Sequence, residues 1–286
     1  MDLTNINEIK TLLSRHGFRF SKSKGQNFLT AAWVPKDIAD AARLDGQTGV
    51  LEIGPGIGCL TEQLSERASK VVSVELDTAL RPVLAETLAG RNNVEIVYGD
   101  ALKLNIPKLL DEKMPGMRHV VCANLPYNVT GPVISKLLKC RCFDSVTVMI
   151  QREVARRICA RPGTGEYGEF TVFVNWYARP EMLFDVPPDC FIPQPKVTSS
   201  VIRLDCRVSP PVEVKSEAMF MRVVRAAFAQ RRKTLLNALS TGFGELSKDE
   251  VEKCLLDSGF DPKVRGEVLS IGEFAKIADA FFAVLD

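Results

Sequence analysis

The sequence predicts an α/β protein with a mostly parallel sheet, followed by a small helical domain. Three observations carry this. Short apolar runs alternate with helix-like stretches from residue 49 onward, a glycine-rich turn follows the first run directly, and the pattern becomes helical throughout beyond Pro210-Pro211. The 286 residues accommodate a main domain and a smaller partner, placed at residues 1–208 and 209–286. Apolar residues make up 46% of the chain, enough for a substantial core. The net charge is only +2, so affinity for a polyanion has to come from local patches.

Taken in order, the stretches 49–53, 70–75, 94–98, 118–123 and 145–150 read as strands, because β-branched and apolar residues dominate them. Helix-like spacing fills 59–67, 78–89 and 132–139 between them. The stretch FTVFVNWY at 170–177 has strand propensity, yet its length and amphipathic spacing also allow a helix. Prolines 180, 187, 188, 193 and 195 then punctuate the chain before a strand-like 197–204. Past the linker at Pro210-Pro211, helices are expected over 218–229, 234–239, 248–258 and 271–285.

Two basic stretches contain no acid. One holds Lys10, Arg15, Arg19, Lys22, Lys24 and Lys36; the other holds Arg222, Arg225, Arg231, Arg232 and Lys233. Either alone reads as a solvated face, and together they point to a nucleic-acid surface. The eight cysteines form no C-x-x-C pair and there are two histidines, which disfavours a structural zinc site. No apolar run approaches membrane-spanning length and the N-terminal region has no apolar leader; acids at Asp2 and Glu8 argue against a transit peptide. Reduced thiols and a cytoplasmic location are the expectation.

The chemistry gathers at strand ends, where parallel sheets bind their ligands. The first strand runs into Gly54-Pro55-Gly56-Ile57-Gly58, glycines where backbone must take positive φ or let a ligand approach. Its G-x-G-x-G spacing differs from the G-x-G-x-x-G of the dinucleotide fingerprint. The next strand ends in Glu75, about 20 residues on, where a carboxylate accepts the ribose hydroxyls of an adenosine-containing cofactor. The third ends at Gly99-Asp100, a second acid placed to read an adenine amine or simply to cap a helix.

The fourth strand ends in Asn124-Leu125-Pro126-Tyr127. An exocyclic amine such as adenine N6 is a poor nucleophile because its lone pair is delocalised into the ring. Two carbonyl oxygens accepting its N–H groups allow it to pyramidalise, and Asn124 Oδ1 with a backbone carbonyl at Leu125 or Pro126 could supply them. Pro126 fixes φ and biases Leu125 toward extended geometry. Tyr127 offers a π-face, and stacking contributes roughly 1 to 3 kcal/mol per base. Catalysis of this kind rests on positioning and dipoles, with no strong general base. The plain structural reading of the same four residues is an Asx/Pro turn.

SKGQNFL (23–29), LEIGPGIG (51–58), VEL (74–76), GDAL (99–102), NLPYN (124–128), FIPQPKVTS (191–199) and QRRKTLLNAL (230–239) occur in this order. The chain thereby resembles the small-subunit (16S) ribosomal RNA adenine N6,N6-dimethyltransferases, the KsgA/RsmA family, over about residues 15–285. The resemblance implies a Rossmann-like S-adenosylmethionine-dependent methyltransferase domain and a C-terminal α-helical domain that binds rRNA. It implies transfer of methyl groups from S-adenosylmethionine to two adjacent adenosines near the 3′ end of small-subunit rRNA, leaving S-adenosylhomocysteine and using no metal.

By this likeness Asn27, Leu29, Gly54, Gly56, Gly58, Glu75, Asp100 and Asn124 hold the cofactor. Asn124, Leu125 and Pro126 form the catalytic corner, and Tyr127 and Phe191 sandwich the flipped base. From the residues alone, Phe191 reads as a core aromatic. Lys22, Lys24, Arg222, Arg225, Arg231, Arg232 and Lys233 are the expected RNA contacts. The partner is the small ribosomal subunit or its assembly precursor, met by a monomer. The likeness also makes 170–177 helical. Val129-Thr130-Gly131-Pro132 and Glu169 depart from the family's usual residues, leaving the helix start after the corner open and weakening a phosphate-holding role for the Glu169 loop. Two other readings stay open: a binding or ribosome-assembly protein of the same fold, and a large-subunit rRNA adenine methyltransferase.

Overall fold

The structure, a computed structural model, describes residues 1–19 and 25–285. Lys22 and Lys24 therefore lie outside the described residues. In chain order the elements are α1 (Ile6–Arg15), β1 (Phe28–Leu29), α2 (Trp33–Ala41), β2 (Thr48–Ile53), α3 (Cys59–Ser65), β3 (Lys70–Glu75), α4 (Arg81–Thr87) and β4 (Val94–Tyr98). These are followed by α5 (Ile106–Lys113), β5 (Arg118–Asn124), α6 (Thr130–Lys139), β6 (Ser145–Gln151), α7 (Arg152–Ile158), α8 (Glu169–Tyr177), β7 (Ala178–Val186), β8 (Phe191–Ile192) and β9 (Ser199–Cys206). The chain ends with α9 (Glu217–Ala229), α10 (Leu235–Gly242), α11 (Lys248–Asp257) and α12 (Ile271–Leu285).

Seven of the described strands form one sheet in the order β4-β3-β2-β5-β6-β9-β7. The strands from β2 to β6 are mutually parallel, while β9 runs antiparallel to both β6 and β7. The valine-rich runs occupy the middle, where both faces are covered: Val50, Leu51, Val120, Val121, Cys122 and Ala123 are fully buried. From β2 the chain passes to β3 on one side, and β5 later pairs on the other. The strand order thus reverses at β2, and the carboxyl ends of β2 and β5 open a crevice there.

One reading left open is decided as the resemblance implied, and one expectation is revised. FTVFVNWY forms the helix α8, because Phe170, Phe173 and Tyr177 fall on one helical face with ring centroids 6.0 and 5.0 Å apart, and Trp176 stacks on Phe220 of α9 at 4.1 Å. These contacts override the β propensity of its valines. The proline-rich stretch read as punctuation contains a nine-residue strand, β7. It is an edge strand, where Pro180 is tolerated despite lacking an N–H.

The chain divides into two compact units, Met1–Ala155 with Ala178–Cys206, and Arg156–Tyr177 with Arg207–Asp286. The sequence expectation placed 156–177 with the larger domain. It belongs with the helices because α8 contributes its aromatic face to their core, and because the Tyr167 hydroxyl donates to the Leu269 carbonyl at 2.8 Å. Helices of the second unit start at side-chain caps: Ser216 for α9, Thr234 for α10, and Ser247 with Glu250 in a capping box for α11.

Helices α9 and α10 meet tightly at Gly242, where an added Cβ would lie 2.4 Å from the Ala226 Cβ. Gly242→Ala is expected to destabilise the helical unit by about 1 to 3 kcal/mol through overpacking, read as a lower urea midpoint for the helical unit. An unchanged midpoint would mean that α9 and α10 separate easily.

Candidate active site

The residues at the switch point surround one cleft. The backbone after β2 turns at once, with Gly54, Gly56 and Gly58 at φ of 72°, 60° and 93°. Gly56 is required by its positive φ and also by its neighbour, since a Cβ there would lie 3.2 Å from the Phe28 ring. Gly58 caps α3 from the left-handed region and packs against Leu88 and Thr87, outside the cleft wall.

Glu75 ends β3 buried, its carboxylate accepting the Asp77 backbone N–H at 2.6 Å as well as those of Gly56 and Leu76. Burial raises its pKa against the lowering effect of these bonds. Asp100 follows β4 and spends Oδ1 on the Leu102 N–H at 2.9 Å, a local turn in place of a helix cap.

The corner after β5 is fixed by its own backbone. The Leu125 N–H donates to the Met149 carbonyl at 3.1 Å. The Pro126 carbonyl accepts from the Val129 N–H and the Thr130 hydroxyl, both at 3.2 Å, which fills its two lone pairs. Of the two backbone carbonyls the sequence left open, that of Leu125 has no partner among the described residues and remains for a ligand. Asn124 Nδ2 donates to the Asn27 carbonyl at 3.4 Å, leaving Oδ1 as the end of the amide that accepts. The Tyr127 ring is half-buried and its hydroxyl shares a 2.7 Å hydrogen bond with Ser199 Oγ; burial raises its pKa, so it stays a neutral phenol.

Of the expected site residues, Asn27, Leu29, Gly54, Gly56, Glu75, Asp100, Asn124, Leu125, Pro126 and Tyr127 line this one cleft. Phe191 does not: it is 3% exposed and pairs through β8 with Leu29 of β1, behind the wall. Three residues that sequence reasoning missed belong to the same region. Gln26 Nε2 donates to Asp77 Oδ2 at 2.8 Å, and Glu52 is buried with Oε2 accepting from the hydroxyls of Thr61 (2.7 Å) and Ser73 (2.6 Å). The signal for Glu52 was legible as an acid next to the end of an otherwise apolar strand. Burial chiefly, with some repulsion from Glu75, pushes its carboxyl up to about 7 against the two hydroxyl bonds.

The lining carries Glu52, Glu75, Asp77 and Asp100 and, among the described residues, no lysine, arginine or histidine. Such a wall repels a pyrophosphate and suits a nucleoside with a cationic tail. The glycine turn, Glu75 and Glu52 therefore suit S-adenosylmethionine better than the pyrophosphate of a dinucleotide.

The expected basic contacts separate in the second unit. Arg222 pairs with Glu245 at 2.6 Å and lies 4.1 Å over the Phe243 ring, while Arg231 donates to the carbonyls of Gly165 (2.8 Å) and Tyr167 (3.0 Å). Arg225 makes a looser pair with Glu169 at 3.6 Å. Arg232 and Lys233 are exposed with no side-chain partner among the described residues. Arg156, Arg157 and Arg161 are exposed in the same unit and were not singled out from the sequence.

A mostly parallel sheet with this glycine turn, an acid at the next strand end and an acid-lined cleft fits the class of Rossmann-like methyltransferases. Residues 17–281 match the sequence profile of the family described as Ribosomal RNA adenine dimethylase. The chain is 46% identical over 288 residues to the Ribosomal RNA small subunit methyltransferase A of Geobacillus sp. (strain WCH70), covering 99% of both chains. It is 47% identical to the protein of that name from Clostridium botulinum (strain Loch Maree / Type A3), covering 96% of this chain and 99% of the relative. Among solved structures it is similar to a dimethyladenosine transferase from Plasmodium falciparum, with a TM-score of 0.73 and 26% identity over 87% of this chain and 95% of that one. It is also similar to the 23S rRNA methyltransferase ErmE, with a TM-score of 0.66 and 27% identity over 88% and 98%. The chain belongs to the ribosomal RNA adenine dimethylase family.

Glu52 generates a pH prediction. Its pKa is raised in the fold, so the contribution to stability is full below the unfolded carboxyl pKa and is lost as pH rises through about 7. Glu52→Gln cannot ionise, and in urea unfolding should stay within about 1 kcal/mol of wild type at pH 5 and exceed it by roughly 3 kcal/mol at pH 8. A difference that does not change with pH would mean that Glu52 titrates normally.

Proposed function

We propose that the chain transfers methyl groups from S-adenosylmethionine to N6 of two adjacent adenosines in the 3′-terminal hairpin loop of small-subunit (16S) rRNA, giving N6,N6-dimethyladenosine during ribosome assembly. The observation that carries this reading is the pair of acceptors at the corner, Asn124 Oδ1 and the Leu125 carbonyl, beside a cleft walled by acids. The names of the curated relatives favour the small-subunit RNA over the large-subunit RNA named for ErmE.

The cofactor, when bound, supplies an electrophilic methyl on a sulfonium. Glu75 binds the ribose hydroxyls, Asp100 the adenine end, and the glycine turn with Asn27 and Leu29 closes around the remainder. The target adenine stacks on Tyr127, whose hydroxyl is held by Ser199. Its N6 donates both hydrogens to Asn124 Oδ1 and the Leu125 carbonyl, which favours pyramidal nitrogen and stabilises the positive charge that grows there. Pro126 shapes the corner, and Phe191 supports Leu29 through the β1–β8 pair. The surplus proton leaves to water once N6 is methylated. Lewis-acid activation is not needed, because the neutral thioether that would depart from the sulfonium is already a good leaving group, so the reading includes no metal.

The RNA is held by the exposed cations of the second unit, foremost Arg225, Arg232 and Lys233. The protein works as a monomer in the cytoplasm on the small subunit or its precursor.

The deciding assay incubates the protein with methyl-labelled S-adenosylmethionine and small subunits lacking the modification, followed by nucleoside analysis. Label in N6,N6-dimethyladenosine is expected; no label with subunit binding intact would favour an assembly factor of the same fold. Asn124→Ala should abolish transfer, at least a hundredfold loss being about 2.7 kcal/mol of transition-state stabilisation, while RNA binding stays near wild type. Equal losses in both would contradict that division. Arg232→Ala with Lys233→Ala should flatten the log-log salt dependence of RNA binding by roughly 0.7 per lost single-strand phosphate contact. An unchanged slope would place the RNA elsewhere.

A further inference from the structure

Among the described residues, Glu52 is the acid of the cleft wall that is held neither by backbone N–H groups nor by a cation. Oε2 takes the hydroxyls of Thr61 and Ser73, while Oε1 has no partner among the described residues. The side chain forms part of the cleft wall although the residue is only 1% exposed. The charged group that acts on it is another acid, Glu75 from β3, and Asp77 lines the same cleft beside Glu75. Two buried thiols also feel its charge, Cys59 of α3 and Cys122 of β5. Burial pushes Cys59 up to about 12 and Cys122 well up, so both stay neutral. A buried carboxyl with a free oxygen, a repelling neighbour and no countercharge is an arrangement that a cationic ligand completes.

We propose that Glu52 senses the charge on the sulfur of the cofactor: it is a carboxylate while the sulfonium of S-adenosylmethionine occupies the cleft, and it takes up a proton when the neutral thioether of S-adenosylhomocysteine remains. The inference rests on the cofactor reading above. Both ligands carry the same adenosine, ammonium and carboxylate groups, and they differ by one methyl and one positive charge. When the methyl leaves, the C–S bonding electrons return to sulfur and its charge disappears. Glu52 then draws a proton from solvent, and the attraction that held the substrate cofactor is lost. The residue thereby favours substrate over product without touching the target base, which makes it a specificity-determining residue for the cofactor.

The group is half-protonated near pH 7 in the empty protein, so binding of the cation releases a proton that calorimetry detects. The test is isothermal titration of the wild-type protein with each ligand at pH 6.5, in two buffers of different ionisation enthalpy. For a carboxyl that titrates near 7, S-adenosylmethionine should release roughly 0.7 proton and S-adenosylhomocysteine less than about half of that. Glu52→Gln should abolish the difference in release and weaken S-adenosylmethionine about tenfold, with less than about threefold effect on the product.

Ser73→Ala keeps the carboxyl and removes a bond that stabilises its charged form. It should raise the pH at which release is half-maximal, and it tests the same point where Glu52→Gln fails to fold. Equal release with both ligands, release that persists in Glu52→Gln, or a midpoint that Ser73→Ala leaves unmoved would overturn the proposal. Failure of the wild-type protein to bind either ligand would overturn the cofactor reading, and this inference with it.

Discussion

The parallel pairing of β2 with β3 on one side and β5 on the other brings three strand ends together, and the site depends on that convergence. Each strand contributes what its last residues carry: a glycine turn from β2, a carboxylate from β3 and an amide corner from β5. The pairing holds because these strands are buried on both faces, so that a one-residue slip would cost core packing along their whole length. A few side chains can then be held within hydrogen-bond distance without any of them being flexible.

Burial at this point also sets the electrostatics. Burial raises the pKa of Glu52 and of Glu75 at the strand ends, repulsion from a neighbouring acid adds a little to each, and Glu75 escapes much of the penalty by accepting backbone N–H groups. Glu52 has only hydroxyls and remains near the protonation midpoint at neutral pH. The wall therefore stores an unfavourable arrangement of charge that a cationic ligand relieves. The second unit holds the basic residues expected to meet RNA, but its arginines do not act as one patch. Arg222 and Arg231 fasten helices and loops within that unit, while Arg225 is only loosely paired and Arg232 and Lys233 are exposed with no side-chain partner among the described residues.

Much of this was legible in the linear chain. The βα alternation and the glycine turn are local patterns, and the valine runs had to be interior strands because nothing else buries them. Asn124, Glu75 and Asp100 stood at recognisable strand ends. Less legible were features that depend on partners distant in sequence. FTVFVNWY became a helix because Trp176 meets Phe220, and the proline-rich 178–186 became a strand because β9 offers it an edge. Phe191 stands behind the cleft wall, a position set by pairing with Leu29, which is far away in sequence.

The sequence by itself determined the fold class, the order of the elements and the residue types at each strand end, because hydrophobic period and glycine conformation are properties of neighbours along the chain. Only the tertiary structure decided which of those groups are free to act. It showed that the Pro126 carbonyl is consumed by its own turn while that of Leu125 is not, that two of the arginines are structural, and that Glu52 lies buried without a countercharge. Hydrogen-bond saturation and desolvation are set by what surrounds a group in space, and a linear chain carries that information only through the fold it makes.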